Sequence, residues 1–249
     1  MSAASHPELN GDWHVHSQFS DDATSTMSEN IRVAAERGIR HLRLIDHVRV
    51  STTWVPEFLA AVAAERVFAP DSLTVHTGVE AKILDASGRL DIPSDLVVGP
   101  GGVDGIVIAD HQFPSHDGPW TPERTRAELA AGLSTTDALA TLVHATIGAM
   151  KLAPGGQLAH PFSILPKIGI SEDDLPDDLL AEWADAAAAT GTSIEVNEKW
   201  ACPGPRVIRA ARAAGATVVA ATDSHVAEDV GRYDRVIALL DAAVPGETA

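Results

Sequence analysis

Cysteine is almost missing from this 249-residue chain. The single thiol, Cys202, excludes an intrachain disulfide, and nothing else in the composition points to a secreted, bridge-stapled scaffold, so a reducing compartment is expected. Basic residues are scarce as well: 18 Lys and Arg stand against 35 Asp and Glu, a formal charge of −17. A surface this acidic is not built to neutralise the backbone of duplex nucleic acid or an anionic membrane. Long apolar runs are absent, with no window approaching the ~18 residues of a membrane span. The polar opening MSAASHPELNGD lacks the basic-then-apolar order of a signal peptide. A soluble, cytoplasmic protein is expected. No repeat of about 20 to 50 residues and no linker interrupts the chain, so residues 1–249 read as a single domain, with 45% hydrophobic residues to build its core.

Histidine is what the chain has in excess: eleven, against one tyrosine, and imidazole is the commonest protein ligand for metals. Seven strand-like runs rich in Val, Ile and Leu lie at 12–16, 39–46, 73–80, 105–109, 157–160, 193–197 and 217–222. Alanine-rich helical patterns separate most of them, at 28–37, 56–68, 135–151, 178–190 and 203–214, with Gly38, Gly191 and Gly215 as stop signals. Strand and helix in alternation predict an α/β fold of parallel strands with right-handed crossovers, closed as a barrel or left open. The segment 81–93, centred on Ser87-Gly88, reads as a small hairpin excursion, and 99–102 as a turn.

In such folds the strand carboxyl ends converge on the site, and here nearly every one carries a ligand-type residue. The first strand reads DWHVH, where a period of two puts Asp12, His14 and His16 on one face. The second ends in Asp46 and His47, the third in Glu80, the fourth in ADH with His111 and the fifth in LAHP with His160. The last ends ATDSH, so Asp223 and His225 share a face if the strand runs that far. Each feature alone is weak, because a lone His-x-His pair is more often coincidence than a metal site and a lone Glu80 is more often a solvated carboxylate. Their coincidence at separate strand ends is the signal. So many unpaired polar groups crowding one mouth call for cations, and imidazoles mixed with carboxylates suit zinc, iron or manganese. The other histidines have bland readings: His6 in a frayed terminus, His41 at a strand start away from the mouth, His76 as a hydrogen-bonded interior residue, His116 on a loop and His144 in a helix.

Taken together, the runs DWHVHSQFSDDA, LIDH, GVEAK, ADH, LAHP, IEVN and TDSHVAEDVG resemble the PHP (polymerase and histidinol phosphatase) domain phosphoesterases over nearly the whole chain. The resemblance implies a distorted seven-stranded (β/α) barrel holding two or three divalent or trivalent ions (Zn, Fe or Mn). It implies His14, His16, Glu80 and Asp223 on one ion, Glu80, His111 and His160 on a second, and Asp22, His47 and His225 on a third, with Asp21 competing for the place of Asp22. Where family members often carry serine-valine before the fourth-motif histidine, this chain has Ala109-Asp110, a departure expected to alter the substrate pocket. The implied activity is hydrolysis of a small phosphomonoester by a metal-activated water, with Glu80 and Asp223 as the catalytic carboxylates. Asp12 and Asp46 are expected to orient histidines by accepting the other ring N–H, or else to be plain turn or strand-end carboxylates. Arg49 and Lys199, the cations nearest strand ends, are expected to bind the phosphate. The rival readings are an amidohydrolase, a nuclease and a non-catalytic accessory module. The loops at 48–56 and 112–122 carry no readable specificity code.

Overall fold

The computed structural model describes residues 6–244. In chain order β1 (Gly11–Val15) leads to α1 (Met27–Glu36), β2 (His41–Val48) to α2 (Val55–Arg66), and β3 (Thr74–Lys82) through an irregular segment to β4 (Gly105–Ala109). A hairpin of β5 (Phe113–Ser115) and β6 (Gly118–Trp120) precedes α3 (Pro122–Ala131) and α4 (Thr135–Leu152). Then come β7 (Gln157–Leu158), α5 (Ile164–Ile168), α6 (Asp177–Thr190), β8 (Ser193–Asn197), α7 (Pro205–Ala214), β9 (Val218–Ala221) and α8 (Arg235–Ala242). Local signals account for many boundaries. Thr26 and Glu29 form a reciprocal capping box at the start of α1, Ser134 caps α4, and α6 and α7 end on Gly191 and Gly215 in the left-handed conformation.

Seven strands form one parallel sheet in the order β1-β2-β3-β4-β7-β8-β9, as expected for an α/β barrel. The sheet curls until its ends meet in a parallel bridge between Val15 and Ser224, where the His16 N–H donates to the Ser224 carbonyl at 2.9 Å. The core lies mainly between this barrel and its helices. Leu42 and Leu44 from β2 and Leu139, Leu142 and Met150 from α4 are fully buried there, each contributing about 1.5–3 kcal/mol of apolar burial. A smaller apolar cluster, Ile45, Val107, Ala109 and Ala159, fills the barrel interior below the mouth. No helix among the described residues is long and apolar enough to cross a membrane.

Several expectations need correction. Alternation along β1 is broken by a bulge: Asp12 pairs with Leu42 but Val15 with Leu44, so three steps on β1 match two on β2. As a result Trp13 turns inward and stacks on His41 and His76, at 5.5 and 5.0 Å between ring centroids. His14 turns inward too, whereas Asp12 sits with Leu42 on the helix side and does not share the face of His14 and His16. The seventh strand stops at Ala221, and Asp223 takes φ +52, so a kink rather than strand alternation aims it. β7 is also shorter than expected, because His160 at φ +28 and Phe162 at φ +65 turn the chain out of the sheet. The 112–122 loop is the β5–β6 hairpin, held by packing of Phe113 against Trp120. The 81–93 excursion is a hairpin with a single bridge, Ile83 to Leu90. His6 is not frayed but buried, with Nε2 at 2.8 Å from Asp241 Oδ1 of α8.

Asp12 instead secures the barrel seam. Its buried carboxylate accepts from the Thr222 N–H (3.0 Å), the Thr222 hydroxyl (2.7 Å) and the Gly231 N–H (2.8 Å). Burial pushes the carboxyl up to about 6, against the pull of these donors. Asp12→Ala should leave the buried Thr222 N–H and the half-buried Gly231 N–H without a partner and lower unfolding free energy by about 3 kcal/mol. Urea denaturation measures this, and a loss below about 1 kcal/mol would show that the seam does not depend on the carboxylate.

Candidate metal centre

All nine expected ligands come together at the carboxyl end of the barrel. Glu80, 2% exposed, occupies the middle. Its Oε1 lies 3.0 Å from His111 Nε2 and 3.3 Å from His160 Nε2, and its Oε2 lies 2.9 Å from His47 Nε2 and 3.5 Å from Nε2 of both His14 and His16. Asp223 Oδ1 approaches His16 Nε2 at 3.2 Å, His225 Nδ1 at 3.5 Å and His14 Nε2 at 3.8 Å. Asp22 closes the rim, with its oxygens 3.6 Å from His47 Nδ1 and 3.2 Å from His225 Nε2. Burial is graded: the side chains of His14, His16 and His160 are at most 1% exposed, those of His47 and His111 27% and 34%, and that of Asp22 55%.

This donor set fits metal ions. Glu80 Oε2 is fully buried yet accepts no aligned hydrogen bond, although three imidazole nitrogens surround it. His14 Nε2 and His16 Nε2 face one another at 3.0 Å. The hydrogen-bond network assigns a proton to the opposite nitrogen of each ring. His14 Nδ1 donates to Glu195 Oε2 at 3.0 Å. His16 Nδ1 donates to Ser20 Oγ at 3.0 Å, whose own hydroxyl is committed to Asp46 Oδ1 at 2.6 Å. With both Nδ1 atoms already donating, the two Nε2 atoms meet over one position that either a shared proton or a metal cation can fill. Three-residue clusters fit for an ion are His14, His16 and Asp223; His16, His47 and His225; His47, Glu80 and His111; and Asp21, Asp22 and His47. The first lies within the expected set for one ion, the second and fourth keep His47 with its expected partners His225 and Asp22 while adding His16 and Asp21, and the third places His47 with Glu80 and His111 instead.

The electrostatics are those of a cation trap. Burial alone lowers the His14 imidazole, but Glu195 and Glu80 overturn that and raise it well above its ordinary value. Burial, with the charge of His14 added, drives His16 down to about 3. Burial raises carboxyls, yet the facing imidazoles hold Glu80 and Asp223 well below the usual carboxylate range. Protons and metal ions compete for the same lone pairs.

Asp46 does not touch an imidazole directly; it lies 4.0 Å from His16 Nδ1 and acts through Ser20. The same design recurs on the far side, where Ser163 Oγ lies between His160 Nδ1 (3.1 Å) and Asp110 Oδ1 (3.1 Å). Asp110 is 3% exposed, so the Ala109-Asp110 departure serves the histidine support rather than the substrate pocket. Sequence reasoning missed Glu195, whose carboxylate accepts from His14 Nδ1, Gln157 Nε2, the His160 N–H and Asn197 Nδ2. A charged residue between Ile194 and Val196 in a fully buried strand was the available signal. Lys82 was missed too: it has the parity of Glu80 one pleat further on, and its ammonium donates to Gln112 Oε1 at 3.1 Å. Arg49 and Lys82 line a cavity of about 280 Å³ over His47, Glu80 and His111. Lys199 lines another, of about 510 Å³, beside Asp223 and His225. The two expected phosphate ligands thus line different cavities beside the centre.

A profile of the PHP domain matches residues 12–199. A probable phosphatase of Shewanella sp. (strain ANA-3) is 28% identical over 236 residues, spanning 93% of this chain and 82% of that protein. A probable phosphatase of Caldanaerobacter subterraneus subsp. tengcongensis is 26% identical over 248 residues, with 92% and 82% covered. Among solved structures, histidinol phosphate phosphatase from Lactococcus lactis subsp. lactis, complexed with zinc, L-histidinol and phosphate, superimposes with a TM-score of 0.66 at 14% identity, over 93% of this chain and 91% of that one. The profile match ends before Asp223 and His225, which the kinked end of β9 brings to the same cluster.

Glu195→Gln replaces one carboxylate oxygen with an amide that cannot accept the donors aimed at it. Metal affinity should fall roughly 10- to 100-fold, read by chelator competition with the fold checked by circular dichroism. Unchanged affinity would mean that the His14 tautomer does not depend on this residue.

Proposed function

The chain belongs to the PHP domain family, and on that premise we propose that this phosphatase hydrolyses a small-molecule phosphomonoester at a centre of two or three metal ions. The observation that carries the reading is the buried, unbonded Glu80 Oε2 among the imidazoles of His14, His16 and His47. We assign His14, His16, Glu80 and Asp223 to one ion, Glu80, His111 and His160 to a second, and Asp22, His47 and His225 to a third. Asp22 is preferred to Asp21 because its two oxygens reach His47 and His225. The whole of residues 1–249 is taken as one catalytic unit. Zinc, iron or manganese suits mixed imidazole and carboxylate donors, and the zinc, L-histidinol and phosphate bound by the Lactococcus lactis protein support a small organic phosphate as substrate.

Bound ions of this kind lower the pKa of a water to generate the nucleophile and neutralise charge on phosphate oxygens. The chain's own residues set the stage for that chemistry. Glu195, Ser20 with Asp46, and Ser163 with Asp110 keep the Nδ1 protons of His14, His16 and His160 turned outward, so that the Nε2 lone pairs converge. Glu80 and Asp223 keep negative charge on the floor of the site. Trp200 Nε1 donates to Asp223 Oδ2 at 2.7 Å and so holds the other oxygen toward His16. Arg49 from one cavity and Lys199 from the other supply positive charge to the incoming phosphate.

Two measurements test this. The purified protein should carry two or three equivalents of zinc, iron or manganese and release orthophosphate from a monoester panel, with activity lost on chelation and restored by metal. Fewer than about one ion, with none rebinding, rules out the multinuclear reading, and release of ammonia from amides or nucleobases instead of phosphate points to amidohydrolase chemistry. Separately, Glu80→Ala should cost roughly 10²–10³-fold or more, a larger loss than Asp22→Ala, since Glu80 serves two ions and Asp22 one. Equal residual rates at full metal occupancy would contradict a bridging Glu80.

A further inference from the structure

Lys167, in α5 just after the His160 turn, is a cation that the metal centre does not employ. Its Nζ lies 3.8 Å from the centroid of the Trp200 ring. Lys199 Nζ lies 5.7 Å from the same ring, and the indole N–H is anchored on Asp223. The ring of His160 is 6.1 Å away. Trp200 is thus a fixed platform at the edge of the centre with two ammonium groups set against it. Lys199 already has neighbours of its own, Asp223 Oδ2 at 3.5 Å and His225 Nδ1 at 3.2 Å. Lys167 is half-buried, and among the described residues no carboxylate lies within 4.0 Å of its ammonium. It feels Asp110 and Asp223 at longer range, and Lys199 repels it.

Asp223 offsets the charge of Lys199, which leaves the ammonium of Lys167 as the charge at this ring with no carboxylate against it, and a further anion beside both lysines would relieve their repulsion. We propose that Lys167 and Lys199, carried by Trp200, form an anion clamp that grips the phosphoryl group of the substrate. The proposal rests on the reading of the site as a phosphatase. Lys167 is its key residue, because its ammonium has the aromatic face as a partner and no ion pair to give up. The two lysines arrive from different segments, Lys167 from α5 after β7 and Lys199 from the turn after β8, so the clamp exists only in the folded barrel.

The test uses metal-loaded protein and inorganic phosphate as the probe, titrated calorimetrically into the wild type, Lys167→Met and Lys167→Arg. Metal content and circular dichroism serve as controls, and Lys167→Gln repeats the measurement if the methionine variant is unstable. Phosphate affinity should fall about tenfold or more in Lys167→Met and kcat/KM about 10- to 100-fold, with most of both retained in Lys167→Arg and metal content unchanged. Unchanged phosphate affinity overturns the clamp, as does a raised KM confined to substrates bearing a second anionic group, which would place Lys167 on the leaving group. A wild type that hydrolyses monoesters while Lys167→Met binds phosphate as tightly sinks the clamp and leaves the phosphatase reading standing. The reverse result, Lys167-dependent phosphate binding without hydrolysis of any monoester, keeps the clamp and removes that reading. A wild type that binds no phosphate ends both.

Discussion

A buried carboxylate ringed by imidazoles is the constraint on which the rest of this structure depends. Glu80 is almost wholly shielded from solvent, and five histidine nitrogens from four different strand ends lie within 3.5 Å of its oxygens. In a low-dielectric interior such a group is tolerable only with cations beside it. The same requirement governs Asp223, whose carboxylate the facing imidazoles hold ionised despite burial. Density of donors is therefore a property of the folded barrel, in which facing imidazoles offset part of the cost of the buried carboxylates.

The surrounding residues determine which nitrogen of each ring looks inward. Glu195 does this for His14 directly. For His16 and His160 a serine hydroxyl stands between ring and carboxylate, Ser20 with Asp46 and Ser163 with Asp110. At His16 the interposed hydroxyl holds the carboxylate off at 4.0 Å, whereas at His160 Asp110 Oδ1 also approaches Nδ1 directly, at 3.5 Å. Behind this layer Gln157 ties Glu195 to Arg43, and the bulge in β1 lets Trp13 and His14 both enter the barrel. Two interior layers are stacked in this way, an aromatic and polar one below and the ligand cluster above, with the small apolar patch of Ile45, Val107, Ala109 and Ala159 within the same interior.

Much of this was legible in the chain itself. Parallel strands joined by alanine-rich helices, and histidines or carboxylates at strand ends, follow from periodicity and spacing, because strand carboxyl ends in such folds face a common mouth. Hence the seven strands and eight of the nine clustered residues could be named from spacing, while Asp22 came only from the family resemblance. Asp12 shows the limit. Its spacing from His14 is that of a shared face, yet a single extra residue in β1 turns it to the seam, where it holds Thr222 and Gly231.

The sequence by itself determined which ligand-type residues stand at the ends of its strands, since that depends on local pattern. Only the tertiary structure decided how they are aimed and supported. The left-handed turns at His160 and Asp223 aim those side chains into the mouth, and the placing of Glu195 against His14 across 181 positions and the meeting of Lys167 with Trp200 join segments remote in the chain. Such contacts arise from barrel closure, which sets distances between strand ends that no local spacing encodes.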